Sequence, residues 1–411
     1  MFKYWFSIPL WQRVIGALVL GTALGLWWGP GAENIKWIGD LFIKAIKMLI
    51  VPLIFFSLIS GIAALGDLKK LGSVGGKALL LFAATALISV TLGVTLGNIF
   101  QPGIGLEVAM PEGLTDKPPP VDWIAMVLRM IPDNPIMTMA EGNVLPLIVF
   151  AMLVGISVLM AGEEAAPIVR GVDAGAVVMQ RMTLIVMELA PFGVFALMAW
   201  VAGTFGWASL IPLAKVVALN YAGCFIIILL VYPAIIKFIA KLPIIDFFRG
   251  IVDAQVVAFS TASSNAALPV TLRCVQRNLG VSRSVSSFVV ALGATINMNG
   301  TAMYLGLVAV FGAQIYGIDL TVTSYILIGL TATLGSIGAA GIPGSGLIML
   351  GLVLGTIGVP LETIAFVAGI NHIMDMMRTM NNVTGDATVA VAVGRMAGEI
   401  DVEEYVSDDD I

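Results

Sequence analysis

Eight apolar runs dominate this sequence, at residues 11–29, 35–65, 76–100, 122–160, 166–203, 209–240, 282–315 and 361–397. Each approaches or exceeds the ~20 residues that a membrane-crossing helix needs. Only 11% of the 411 residues are charged and 59% are hydrophobic, whereas soluble domains carry about 25% charge. That combination excludes a soluble enzyme, a nucleic-acid binder and a disordered chain. It predicts an all-α polytopic membrane protein. A single histidine, His372, argues against a His-based metal or haem centre.

The net charge of −5 is a local property. Glu399 to Ile411 holds seven of the 26 acids and no base, so the rest of the chain carries 21 bases against 19 acids. The segment 399–411 reads as an acidic, solvated and mobile cytoplasmic tail. Cys224 and Cys274 lie in or beside apolar segments without CxxC spacing and read as free thiols. No small-residue cleavage site follows the amino-terminal apolar run, so no cleaved signal peptide is expected.

Basic residues set the expected orientation. Lys3 and Arg13 precede the first run, and Lys69, Lys70 and Lys77 lie between the second and third. Later clusters are Lys237, Lys241 and Arg249, then Arg273, Arg277 and Arg283. The loop 101–121 and the Asp122 that follows it are Pro-rich and acidic. Eight crossings with both termini in the cytoplasm put every basic cluster inside and that loop outside.

Two further apolar stretches, 246–277 and 321–358, are interrupted by small and polar residues, at Ser260–Ala267 and Gly335–Gly346. Non-helical backbone survives in hydrocarbon only when buried in protein or lining a wet cavity. Re-entrant helical hairpins satisfy that condition and present helix ends, whose free amides bind ions or anionic groups, near mid-membrane. Two hairpins, each followed by a polar-motif helix, suggest inverted repeats as in secondary transporters. The plainer alternative is that the small residues only allow close helix packing.

The strongest signal is Asp375, Arg378, Thr379, Asn382 and Asp386, spaced i, i+3, i+4, i+7 and i+11. They share one helical stripe. A charge at mid-membrane costs ~2.5–3.5 kcal/mol even on the gentlest scale, so three on one stripe need a function. A purely structural Asp375–Arg378 pair would leave Asp386 unexplained. Upstream, Asn297 and Thr301 are four residues apart, and Gly300 weakens the helix and frees carbonyls. Carbonyl, amide and carboxylate oxygens suit a hard cation, while the guanidinium fork of Arg378 suits a carboxylate. An Arg for an anion, an Asp for an ammonium and oxygens for a cation are what an acidic amino acid requires.

These motifs resemble those of the dicarboxylate/amino acid:cation symporters, the glutamate transporter family. The likeness covers nearly the whole chain: Ser263–Ser264, Asn-Met-x-Gly-Thr at 297–301, the Gly/Pro tip at 335–346, and Asp-x-x-Arg-Thr-x-x-Asn-x-x-x-Asp at 375–386. It implies eight transmembrane helices plus two re-entrant hairpins, a homotrimer and an elevator mechanism. Residues 1–75 and 122–208 would form a static scaffold. Residues 76–100 and 209–398, with hairpins at 244–278 and 321–358, would form the moving transport domain. The location implied is the cell inner (plasma) membrane.

By this resemblance Arg378 binds the substrate's side-chain carboxylate and Asp375 its α-ammonium. Thr379, Asn382 and the amides around Ser263 and Ser264 hold the α-carboxylate, and Thr301 adds a hydroxyl. Aspartate or glutamate is thereby favoured over a C4-dicarboxylate, which remains the alternative. No cofactor is implied beyond the transported cation, Na+ or H+. One cation site would use Gly293, Asn297, Asn382 and Asp386. A second would use backbone carbonyls near Thr295, Ser336, Ile337 and Ala339. The third is degenerate, since Asn299 replaces the family's Asp, while Phe82 and Ala86 flank the retained Thr85 where sodium-coupled members have Tyr and Ser. Coupling to fewer than three sodium ions, or to protons, follows.

The family's proton-carrying Glu is matched by Leu305, and its substrate-neighbouring Arg positions by Ala262 and Met376. Asn371 stands where an Asp is common. His372 reads as a helix residue facing scaffold or lipid headgroups, off the Asp375 stripe. An intramembrane serine hydrolase built on Ser345, His372 and Asp375 fails, because two of the three follow one another on one helix. A passive anion channel would need a continuous polar lining, whereas the polar residues converge at one depth.

Overall fold

The computed structural model describes residues 8–63, 74–106, 108, 128, 130–338, 341 and 343–407. Apart from an isolated bridge between Val281 and Ile400, the regular structure described is helical. Helices α1 (Leu10–Trp28), α2 (Lys36–Ala63) and α3 (Gly76–Phe100) match the first three apolar runs within one or two residues. The short α4 (Pro135–Glu141) leads into α5 (Val144–Ala161), followed by α6 (Ala166–Met187) and α7 (Ala190–Phe205). Helix α8 (Leu210–Ile226) continues through π-helical turns as far as Ala240. Two helix pairs follow the expected interruptions. The first is α9 (Ile244–Thr261) with α10 (Ser264–Arg273). After α11 (Arg283–Ile296) and α12 (Asn299–Ile315) comes the second, α13 (Val322–Gly338) with α14 (Ser345–Thr356). The chain ends with α15 (Thr363–Ala368), α16 (Asn371–Ala397) and α17 (Val402–Tyr405).

Among the described residues, five helical stretches are long and apolar enough to cross a membrane, the longest being the 54 residues of Leu10–Ala63, which contain both α1 and α2. Helix α16 has the length, at 27 residues, but its polar stripe lowers its hydropathy below theirs. Leu20, Leu80, Ile185 and Leu230 are all more than 60% exposed. An apolar exterior around a polar-bearing interior is the pattern of a protein solvated by lipid. The chain is an integral membrane protein.

Four of the predicted runs divide: 122–160 at Gly142–Asn143, between α4 and α5, 282–315 at Asn297–Met298, between α11 and α12, and two more as follows. The run 166–203 breaks at Glu188–Leu189, because Pro191 opens α7 and cannot continue the preceding helix. Glu188 there pairs with Arg13 at 2.6 and 3.1 Å. The run 361–397 breaks at Gly369–Ile370, between α15 and α16. Of the run 122–160, residues 122–127 and 129 lie outside the described residues.

Packing separates the helices into two groups. In one, α1 packs on α7, and α2 on α5, α6 and α7. Gly21 and Gly25 of α1 meet the carbonyls of Phe195 and Ala199 so closely that neither could carry a Cβ, the small-residue contact that lets membrane helices touch backbone to backbone. In the other, α12 packs on α3 and α16, and α16 is flanked by α8, α9 and α11. Of the 17 residues of α12, 16 are buried, and 22 of the 27 residues of α16 are buried too. These two helices form the centre of the second group.

As far as residue 407, the carboxy-terminal segment is not the mobile tail that its acidity suggests; residues 408–411 lie outside the described residues. Residues 399–407 are strapped across the second group. The Glu399 carboxylate accepts the hydroxyls of Ser282 and Ser284 at 2.5 and 2.6 Å, and the Asp401 amide donates to the Gly280 carbonyl at 2.8 Å. Tyr405 is 1% exposed and donates its hydroxyl to Pro243 at 2.8 Å. The correction has a physical cause: Ile400, Val402 and Tyr405 supply apolar contacts that a count of acids ignores. The two serine hydroxyls hold the Glu399 carboxyl below the usual carboxylate range. This clamp is complete at neutral pH and is lost as pH falls through that lowered value. Tyr405→Phe, which removes this part-buried hydrogen bond, is expected to lower unfolding stability by about 0.5–1.5 kcal/mol, read as a lowered melting temperature in detergent.

Candidate substrate and cation site

The predicted stripe is intact on α16. Asp375, Arg378, Thr379, Asn382 and Asp386 are all buried, Arg378 completely so. One guanidinium nitrogen of Arg378, Nη2, donates to Asp375 Oδ1 at 2.8 Å and to Asn371 Oδ1 at 2.9 Å. Its plane lies over the Tyr304 ring of α12, 3.9 Å from the centroid, a cation–π contact in a desolvated place. The other two nitrogens, Nε and Nη1, are buried with no hydrogen-bond partner among the described residues. Leaving such donors unmade is costly unless something else accepts from them. Arg378 is therefore held on one edge and open on the other.

The tips of the two helix pairs meet beside it. Ala262 turns the first pair in the left-handed region, at φ +50°, unusual for a residue with a Cβ. Ser263 caps α10, accepting from the Ala266 amide at 3.2 Å, and donates its hydroxyl to the Gly341 carbonyl of the second tip at 2.8 Å. The Asn265 amide donates to the same carbonyl at 3.0 Å. Gly344 donates its amide to Asp375 Oδ2 at 2.7 Å. Thus the acid paired with Arg378 holds the second tip, and that tip holds the first. Gly346 permits the approach, since a Cβ there would lie 2.6 Å from Arg378 Nη1. Gly346→Ala should displace the guanidinium and weaken substrate binding about 10-fold or more, about 1.4 kcal/mol per tenfold, measured by calorimetric titration.

Between α11 and α12 the helix breaks at Asn297 and Met298, whose ψ angles are 71° and 59°. Gly300 is not the breaker that its lack of a side chain suggests: it lies in the first turn of α12. There its amide donates to Asn382 Oδ1 at 2.7 Å, and a Cβ would lie 2.6 Å from the Arg378 carbonyl. Asn297 Nδ2 donates to Asp386 Oδ1 at 2.9 Å, and Gly293 leaves that carboxylate room that a Cβ would take. Among the described residues Asp386 has no cationic side chain within salt-bridge distance, and Asn297 Oδ1 beside it is buried without a partner. A buried carboxylate in that state calls for a counter-charge. Gly293, Asn297 and Asp386 come together, with Asn382 linked through Gly300.

Asn299 is fully buried and gives one hydrogen bond to Thr85 Oγ1 at 3.1 Å and one to Tyr232 Oη at 3.0 Å. Phe82 and Ala86 are buried on the same helix as Thr85. The predicted carbonyl group is less compact. Thr295 bonds its own hydroxyl to Leu292 and faces a crevice against Gly61, Ser336 bonds to Thr333, Ile337 lies in the last turn of α13, and Ala339 lies outside the described residues.

Ser264, Thr301 and Thr379 are buried and have no side-chain hydrogen bond among the described residues, which leaves three hydroxyls for a ligand. Tyr304, Tyr232 and Asn381 escape a motif reading, because each acts through a neighbour from another helix, while the glycines 341, 344 and 346 lie in the predicted Gly/Pro tip without their individual contacts being legible. His372 is buried, with Nδ1 unpartnered among the described residues, so it does not face headgroups.

Comparison with known proteins identifies the family. The sodium:dicarboxylate symporter family description matches residues 10–396. A proton/sodium-glutamate symport protein of Geobacillus stearothermophilus is 36% identical over 405 residues, covering 96% of each chain. A proton/glutamate-aspartate symporter of Escherichia coli (strain K12) is 34% identical, covering 95% of this chain and 93% of the relative. A C4-dicarboxylate transport protein of Bacillus subtilis (strain 168) is 33% identical, covering 95% and 94%. These relatives are transporters, and none is an enzyme. On the length of the match and the identity together, the chain belongs to the sodium:dicarboxylate symporter family.

Proposed function

We propose that this transporter carries acidic amino acids, aspartate or glutamate, in symport with cations. The carrying observation is the buried Arg378–Asp375 pair with two guanidinium donors open to a ligand. A substrate carboxylate would accept from Nε and Nη1, and its ammonium would take Asp375 from the Gly344 amide. Ser264 and Thr379, with Asn382, would complete the α-carboxylate site, and Thr301 would add a hydroxyl near the side-chain carboxylate. Asp375 is what separates this reading from a C4-dicarboxylate, which brings no ammonium to a buried acid. Relatives with either substrate in their names are about equally similar, so overall identity does not decide.

Asp386, Gly293 and Asn297, with Asn382, form the best-supported cation site; a second would use backbone carbonyls near Thr295, Ser336 and Ile337, with Ala339 outside the described residues. At the third place the Asn299 Nδ2 gives both its hydrogens to neighbouring hydroxyls and no carboxylate stands there, which argues against a cation, although Asn299 Oδ1 has no partner among the described residues. Entry of one negative charge against a negative-inside potential costs about 2.3 kcal/mol per 100 mV, and two cations reverse that sign. The packing groups supply the machinery: scaffold at 1–75 and 122–208, moving domain at 76–100 and 209–398. We read the chain as eight crossings with cytoplasmic termini, two hairpins entering from opposite faces, an elevator movement and a homotrimer in the plasma membrane.

The test is uptake of labelled aspartate into proteoliposomes under imposed sodium or proton gradients, with competition by glutamate, succinate and serine. Competition by glutamate and not by succinate supports the reading. Preferential displacement by succinate overturns it, and three-ion sodium dependence overturns the lost third site.

A further inference from the structure

A crevice of about 1280 Å³ separates the two packing groups, between α2 on one side and α14 on the other. Its walls are apolar: Ile46 and Ile50 from α2 face Ile348 and Leu352 from α14. Three charged side chains also line it, Lys47 on α2, Asp133 ahead of α4 and Glu141 at the end of α4. None of the three is in an ion pair among the described residues; Glu141 only accepts from Asn143 at 2.8 Å. Lys47 lies 11 residues past the start of α2, ~16 Å along its axis. Lys47, Asp133 and Glu141 are exposed to the crevice and not buried, so the ammonium can meet an anion that enters, or snorkel to one.

The crevice thus presents one cation and two anions around a long apolar gap that exceeds the usual ~300–1,000 Å³ of small-ligand pockets. Its complement is a zwitterion on hydrocarbon chains, with a negative group for Lys47 and a hydrogen-bonding positive group for the two carboxylates. We propose that this crevice binds a phosphatidylethanolamine molecule from the surrounding bilayer. The phosphate sits on Lys47, the primary ammonium on Asp133 and Glu141, and the acyl chains lie along the α2 and α14 walls. A choline headgroup carries the charge but cannot donate the hydrogen bonds, and a glycerol headgroup carries no cation. Because the walls belong to different packing groups, the bound lipid spans the boundary between them.

The experiment is native mass spectrometry of the full-length protein in detergent with equal amounts of phosphatidylethanolamine, phosphatidylcholine and phosphatidylglycerol. Phosphatidylethanolamine should be retained at least about 10-fold over either other lipid. Lys47→Gln, and Asp133→Asn with Glu141→Gln, should each bring retention to the phosphatidylcholine level, while Lys47→Arg keeps the preference. Melting temperatures in lipid-free detergent identify variants that fold, and only those are compared. Equal retention of the three lipids overturns the proposal, as does preference for phosphatidylglycerol, or a phosphatidylethanolamine preference that survives both neutralisations. The readout is lipid retention and not uptake, so its failure leaves the acidic-substrate reading standing, and the reverse.

Discussion

Arg378→Ala is expected to abolish measurable binding of acidic amino acids, a loss of about 100-fold or more. Truncating one side of a buried, hydrogen-bonded charge pair costs 2–5 kcal/mol or more, and every tenfold in affinity is about 1.4 kcal/mol. Here two losses combine. The substrate carboxylate loses the buried guanidinium at the site, and Asp375 is left 5% exposed without the partner that sits 2.8 Å away. That second effect also threatens the fold, because an orphaned buried charge destabilises by roughly 3–5 kcal/mol. Two companion variants separate the causes. Arg378→Lys keeps a charge but loses the planar fork, so it should melt near the unmodified protein and bind roughly 10-fold more weakly. Arg378→Ala with Asp375→Ala removes both charges, so it should recover stability without recovering binding. Calorimetric titration with aspartate, paired with melting curves, reads all three. Affinity within about threefold of the unmodified protein in a folded Arg378→Ala variant would refute the assignment of Arg378 to the substrate carboxylate.

The contrast between Arg378 and its surroundings explains what the sequence makes legible. The 3.6-residue period alone puts Asp375, Arg378, Thr379, Asn382 and Asp386 on one face, since spacing within one helix is a local property. Helix existence is legible for the same reason: α1 to α3 fall within one or two residues of their apolar runs. The partners that tune those residues come from elsewhere in the chain. Tyr304 is 74 positions from Arg378, and Asn299 reaches Thr85 across 214. No local pattern encodes such pairs. Gly300 and the tail mark a second kind of failure. The glycine reads as a helix breaker, yet it is retained by contact with the Arg378 backbone while Asn297 and Met298 break the helix. The tail reads as solvated from its acids, yet three apolar side chains among them dock it. In both cases tertiary contact overrides composition.

Asn299→Asp is expected to make the protein's stability depend more strongly on sodium. Asn299 Nδ2 supplies both hydrogens to Thr85 Oγ1 and Tyr232 Oη. Those hydroxyls already donate elsewhere, Thr85 to Leu81 at 2.8 Å and Tyr232 to Asn381 at 3.1 Å. Both oxygens are therefore oriented to accept. A carboxylate in the same place has no hydrogen to give and confronts two acceptors in a fully buried position. Without a cation, that arrangement should destabilise the protein by several kcal/mol, a fall of several degrees in melting temperature. With one, the carboxylate, the two hydroxyl oxygens and the Asn381 carbonyl form an oxygen cage suited to a hard ion. Sodium at 100 times its dissociation constant would return about 2.7 kcal/mol by mass action, while choline at equal ionic strength would return nothing. The unmodified protein has its own sodium dependence from the remaining cation sites, so the effect of the new carboxylate is the difference between the two curves. Uptake by the variant should rise more steeply with sodium, by about one further ion in the exponent. If its melting temperature responds to sodium against choline no more than the unmodified protein's does, Asn299 does not occupy the place of a cation, and the two-site account of coupling fails with it.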